Sequence, residues 1–286
     1  MKRIPVVFCF IFISTFFYSK HKKVNLSEAL KSKMAEINVG RVTGYQGKCL
    51  KLKMINLTAD SIYVKVTPGW VFDSDDSTAQ DLIVIKEFTF VLGKFDKKTE
   101  EIFVNCCERK KRSPTGCKFS KSKTPKKELV RLAEFLNKDD YPTNLICNAV
   151  WAVSDNAPIS NICGGGADKD SLVRRIVAEL LQKEIPWFNV ITETNQLGNG
   201  HIETISKSLY GAFNCNISKG TEFEIKLIDR HGREILMLQP KTKANDNIMN
   251  YYIEFNIEHL PRKEFFISFR DSKGVEMLKK EIDLRM

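Results

Sequence analysis

At 286 residues, 43% of them hydrophobic and 10% aromatic, the chain has apolar material for one large domain or two ordinary ones with separate cores. Charged residues at 28%, with 15 Gly and 9 Pro, exclude collagen-like, mucin-like and linker proteins. The net charge of +10 is local: residues 1–23 carry five Lys/Arg and no acid, residues 105–131 carry a net +8, and the remainder is net acidic, which excludes an all-over nucleic-acid coat.

The chain begins with Met1-Lys2-Arg3 and an apolar run from Ile4 to Ser19, closed by Lys20-His21-Lys22-Lys23. The run is shorter than the roughly 20 residues a membrane-spanning helix needs, so residues 1–23 read as a secretory signal. The flank Phe17-Tyr18-Ser19 lacks a small residue at the first recognition position, so an uncleaved anchor is the alternative. Either way the expected location is outside the cell, secreted or on the surface, and the only expected membrane contact is through an uncleaved signal.

Residues 24–186 come next as one unit. Two-residue periodicity predicts strands over Cys49–Leu57, Ile62–Val66, Leu82–Leu92 and Ile102–Cys106, a compact antiparallel unit of about four to six strands. A helical section follows. Thr124-Pro125 reads as a cap and first turn before Leu129, Leu132, Ala133 and Leu136, a second helix starts near Thr143, and a third carries Leu172, Val173, Ile176, Val177, Leu180 and Leu181 before Pro186. These helices are expected to cap the β unit. Gly164-Gly165-Gly166, ahead of the third helix, lacks the Lys-Ser/Thr of a phosphate cradle and reads as a flexible loop.

From Trp187 the alternation returns, with hairpin turns at Asp229-Arg230-His231-Gly232 and Asp271-Ser272-Lys273-Gly274. About seven strands over residues 187–286 predict an immunoglobulin-like sandwich. The expected fold class is mainly β with a helical section: a helix-capped β domain followed by an immunoglobulin-like β-sandwich.

No residue set names a reaction. Of eight Cys, seven follow the signal, an odd number that allows three bridges at most. No CxxC occurs, and only His21, His201, His231 and His259 are available, so no structural zinc is expected. Neither Gly-x-Ser-x-Gly nor His-Glu-x-x-His is present. Asp73, Asp75, Asp76 and Asp81 lack the Gly and terminal Glu of a calcium loop and read as an exposed acidic loop. The expectation is no catalytic residue, no metal and no cofactor. The basic stretch, Arg109, Lys110, Lys111, Arg112, Lys118, Lys121 and Lys123, holds one aromatic, Phe119, which offers no platform for stacking bases. Its expected partner is an anionic surface glycan or a protein rather than a nucleic acid.

Ala149-Val150-Trp151, with Cys106-Cys107 at a strand end, makes residues 45–155 resemble the bacterial surface thioester domains. In that family a Cys and a Gln side chain join in an internal thioester that acylates a nucleophile on a host surface. Cys147 stands where the family places Gln, so the resemblance implies a degenerate domain in which Cys147 bridges Cys106 or Cys107. The residues themselves leave a buried, free Cys147 equally open. Phe223–Glu234 and Lys279–Ile282 resemble the immunoglobulin-like tail modules of exported Bacteroidetes proteins and of hook-capping proteins, which implies surface display or sorting. The expected function is non-catalytic adhesion or recognition, with the basic loop as contact. The alternatives are a covalent adhesin that pairs a Cys with another Gln, such as Gln46 or Gln80, and an unrecognised secreted enzyme.

Overall fold

The computed structural model describes residues 22–120, 125–198, 200–260 and 264–284. The expected signal run, the Thr124 cap, and Lys121 and Lys123 of the basic stretch lie outside the described residues.

Strand β1 (Lys22–Asn25) leads into the short helix α1 (Leu26–Lys31), started by the Asn25 side chain, which accepts the Glu28 N–H at 2.8 Å. Strands β2 (Ala35–Val42), β3 (Gln46–Asn56), β4 (Ile62–Val66), β5 (Val71–Ser74), β6 (Leu82–Val84), β7 (Phe88–Leu92), β8 (Lys97–Cys106) and β9 (Phe119–Ser120) follow. They form a three-stranded sheet, β1-β4-β7, and a six-stranded sheet, β2-β3-β8-β6-β5-β9. Period two explains the pairing of the sheets: Leu50, Leu52 and Met54 of β3, Ile62, Val64 and Val66 of β4, and Ile102 and Val104 of β8 all turn into one core.

Nine strands stand where the sequence predicts about four to six: β1, β2, β5 and β9 lie outside the predicted runs, and one predicted run divides. β1 pairs in parallel with β4, Lys22 opposite Ile62 through Asn25 opposite Lys65, within a stretch that reads in sequence as the signal's basic flank. The run Leu82–Leu92 is two strands in different sheets. It breaks at Lys86-Glu87, where the Lys86 ammonium donates to Leu136 O at 3.0 Å and the Glu87 N–H donates to Asn137 Oδ1 at 2.9 Å.

Helices α2 (Lys127–Leu136), α3 (Thr143–Asp155) and α4 (Ala167–Leu181), with a 3-10 turn at Ile159–Asn161, build a second core against the six-stranded sheet. Leu82 and Val84 face the first core while Ile83 joins Leu132, Leu145, Ile146 and Val173 in the second. Gly69, at φ +85°, lets α2 approach, since a Cβ there would lie 3.0 Å from Val130 Cγ1.

The remaining seven strands are β10 (Phe188–Gln196), β11 (Ile202–Asn216), β12 (Glu222–Ile228), β13 (Glu234–Lys243), β14 (Ile248–Asn256), β15 (Glu264–Asp271) and β16 (Glu276–Asp283). Sheets β10-β11-β14 and β13-β12-β15-β16 are wholly antiparallel and enclose a third core, in which Phe223 and Phe269 stack at 4.6 Å. The protein is mainly β.

Asp229 ties the β12–β13 turn. Burial works against its carboxylate, but the Arg233 guanidinium and the N–H groups of Arg233 and His231 overcome this and hold its pKa down to about 2. A carboxyl whose pKa falls on folding stabilises fully above its unfolded value near 3.9 and loses that contribution as pH falls toward 2. The urea midpoint of Asp229→Ala is therefore expected below wild type at pH 6, with the gap closing between about pH 4 and pH 2. A gap that stays constant across that range would assign the turn's stability to backbone geometry instead.

Candidate binding cavity

No disulfide joins the cysteines among the described residues, so the bridge implied between Cys147 and Cys106 or Cys107 is not formed here. The three thiols belong to three separate clusters. Consecutive residues at the end of β8 point to opposite faces, which puts Cys106 in the first core and Cys107 among the helices. Cys147, on α3, packs instead with Trp151 and Ala157 in a small cluster backed by Tyr45 and Ile202. Burial pushes its thiol far above the ordinary range, with only a hydrogen bond from the Asn105 side chain working the other way. Cys106 is likewise pushed up, first by burial and then by Cys147 beside it.

The basic loop is a joint more than a free charged surface. The Arg109 N–H donates to Asp155 Oδ2 at 3.1 Å, Lys111 pairs with Glu108 at 3.2 Å, and Arg112 pairs with Asp76. The Arg112 backbone runs between the acidic loop and the β10–β11 hairpin: its N–H donates to Thr78 O, its carbonyl accepts from Gln80, and the next N–H, of Ser113, donates to Gly200 O at 2.7 Å. Among the described residues of the set, Lys110 and Lys118 are the exposed cations. The acidic loop is spent on the same joint. Hydrogen bonds from Thr78 and Arg112 hold Asp76 down to about 2, and buried Asp81 accepts the Ser74 N–H at 2.9 Å. Among the described residues no three His, Cys, Asp or Glu side chains gather as metal ligands.

A cavity of about 800 Å³ opens where α3, α4, the start of β3 and strands β10 and β11 meet. Tyr45 and Gln46 enter from β3 and its approach, and Asn144, Cys147, Asn148 and Trp151 from α3 at helical spacing. Strand β10 gives Asn189 and Ile191, then Thr192 and Thr194. A register shift lies at the same point: Ile191 pairs with Ser208 and Thr192 with Ser206, so the extra residue, Lys207, is on β11.

The far wall is set by α4. The N–H groups of Gly164 and Gly165 donate to the Asp170 carboxylate at 3.0 and 2.7 Å, so the glycine loop is anchored rather than flexible. Gly164 sits at φ +105° against Asn144, where a side chain would collide. Four residues on, buried Arg174 donates from Nη1 to Asn189 Oδ1 at 2.6 Å and from Nη2 to Phe188 O at 3.1 Å and to Pro186 O. Cys163 closes the edge, its Sγ 3.4 Å from Val190 O.

Two features define what this cavity can do. Its acidic hydrogens stay in place: burial raises Cys147 and Tyr45, takes Cys163 up to about 11 and takes Tyr210 up to about 12. None of its lining residues is a His that could act as base. Three buried polar atoms of its lining residues, Gln46 Oε1, Trp151 Nε1 and Arg174 Nε, have no hydrogen-bond partner among the described residues. In the native protein iodoacetamide is therefore expected to modify Cys117, the one half-exposed thiol among those described, well before Cys147 or Cys106. Peptide mapping after timed labelling checks this, and labelling of Cys147 at the Cys117 rate would contradict the burial of α3.

The sequence reading found Cys147 and Trp151 but not Tyr45, Asn148, Asp170, Arg174, Asn189 or Tyr210 as members of one site. A signal existed in Asp170 and Arg174, two opposite charges at i,i+4 on the apolar face of α4. No family model matches this chain, and no curated protein matches its sequence.

Proposed function

We propose that this is an exported, non-catalytic recognition protein of the cell surface, which holds its ligand in the cavity between the helical section and the last seven strands. The observation that carries the reading is the contrast within the cavity: burial keeps every thiol and phenol there protonated, while buried donors and an acceptor stand without protein partners. Such a site is suited to receiving a ligand rather than attacking one.

The architecture fits that role. In the C-terminal unit the first, second and fifth strands share one sheet and the fourth, third, sixth and seventh the other, an arrangement that favours an immunoglobulin-like sandwich. The packing of α2, α3 and α4 against Val71 and Ile83 favours a helix-capped N-terminal domain. Export would follow from the apolar run at Ile4–Ser19, with cleavage upstream of Lys22 so that β1 keeps its pairing. Lys110 and Lys118, exposed and outside the cavity lining, remain as a separate contact for an anionic glycan or protein.

Antibody raised against residues 22–286 is expected to label intact cells or the medium, and labelling that requires permeabilisation would overturn the surface reading. A covalent second reading has one observation in its favour: Gln46 lines the cavity together with Cys147, and Gln80 does not. Intact mass separates the two, because a thioester carries a deficit of about 17 Da from loss of ammonia that an amine reverses, and the recognition reading expects none.

A further inference from the structure

We infer that the cavity takes a neutral saccharide, an inference that rests on the recognition reading above and names its ligand class. Charge is the first argument. Among the described residues, Asp170 and Arg174 are the only charged side chains lining the cavity, they have opposite signs, and both are spent. Both carboxylate oxygens accept glycine N–H groups, and both terminal guanidinium nitrogens donate to Asn189 and the β10 backbone. An anionic or cationic ligand would find no uncommitted counter-charge and would lose its hydration on entry.

The groups left over suit hydroxyls. The side-chain amides of Asn144 and Asn148 and the hydroxyls of Thr192 and Thr194 line the cavity, and each both donates and accepts. A hydroxyl is both donor and acceptor, so a ring carrying adjacent hydroxyls can meet a mixed set of this kind, which a ligand of one polarity cannot. The apolar share of the lining, with the rings of Tyr45 and Tyr210 and the half-exposed Ile191, offers surface to the C–H face of a sugar ring. A volume of about 800 Å³ lies in the small-ligand range.

An extended peptide fits less well. It would add to the free edge of β10, yet the Phe188 and Val190 carbonyls on that strand are already taken by Arg174 and Cys163.

The test uses the full exported chain with maltose, cellobiose, lactose and diacetylchitobiose as probes, read by saturation-transfer NMR and tryptophan fluorescence. At least one is expected to bind saturably. Asn148→Ala and Gln46→Leu, both at partly exposed positions, are each expected to weaken that binding about tenfold with the unfolding midpoint unchanged. Failure of all four sugars, or binding indifferent to both substitutions, would overturn the inference. If a neutral alanine-serine pentapeptide or a sulfated disaccharide bound instead, with sensitivity to the same substitutions, the ligand class would be wrong and the recognition reading would stand. If no probe bound and antibody failed to label the cell surface, both would fall.

Discussion

Replacing Trp151 by alanine is expected to lower the free energy of unfolding by about 4 kcal/mol, in the range for deleting a fully buried large aromatic. The indole is 1% exposed and sits where three elements meet: it packs with Cys147 of α3 and Ala157 just beyond that helix, Tyr45 ahead of β3, and Ile202 at the start of β11. Its removal would extend the existing cavity inward and leave those neighbours without contacts on one side. No hydrogen bond is lost, because Nε1 has no protein partner. Trp151→Phe keeps most of the packing and is therefore expected to cost about 1–2 kcal/mol. Urea denaturation followed by circular dichroism measures both. A loss below about 1 kcal/mol for the alanine variant would mean that α3 is held by its apolar face toward Leu145 and Ile146 alone.

The residues that carried the sequence argument were those whose role is local. Ile62, Val64 and Val66 alternate because one face of β4 is buried, and the turns at Asp229–Gly232 and Asp271–Gly274 close on their own Asp carbonyls, so a few neighbouring letters suffice to read them. The third helix was readable from Val173, Ile176 and Val177 for the same reason. Parallel pairing of β1 with β4 was not readable, because its hydrogen bonds join residues about forty positions apart and its outer residues are lysines, which look alike in a signal flank and on a strand edge.

The same limit applied to the site. Basic letters at Arg109–Arg112 announced a charged surface, but beside the adjacent Glu108 their acids are Asp76 and Asp155, on distant segments. The resemblance to thioester domains drew attention to Cys147 and Trp151 on α3. It gave no account of β10 and β11, which supply the opposite wall of the cavity, since they belong to another unit of the chain. Adjacent Cys106 and Cys107 suggested a shared bridge partner, whereas strand geometry sends their side chains into different cores.

Arg174→Ala is expected to remove about 3 kcal/mol of stability and to loosen the joint that forms the cavity. The guanidinium reaches from the buried face of α4 to Pro186 O, Phe188 O and Asn189 Oδ1, the residues that lead into β10, so one side chain fixes where the last seven strands start relative to the helices. Truncation leaves these acceptors without their donor at a cost of roughly 1–3 kcal/mol for each one that stays buried, reduced where cavity water replaces the guanidinium. Arg174→Lys is expected to recover only part of the loss, because a single ammonium cannot present the planar fork that reaches Asn189 and the backbone together. Arg174→Met separates packing from polarity: it keeps the stem and removes all three hydrogen bonds. Calorimetry is the informative measurement. If Arg174 couples the units, the alanine variant should melt in two resolved steps where wild type melts in one, and saturable binding in the cavity should weaken with it. A single, unshifted transition would transfer the coupling to another link across the joint, the Ser113 N–H to Gly200 O, and would make Arg112–Ser113 rather than Arg174 the element that sets the geometry of the site.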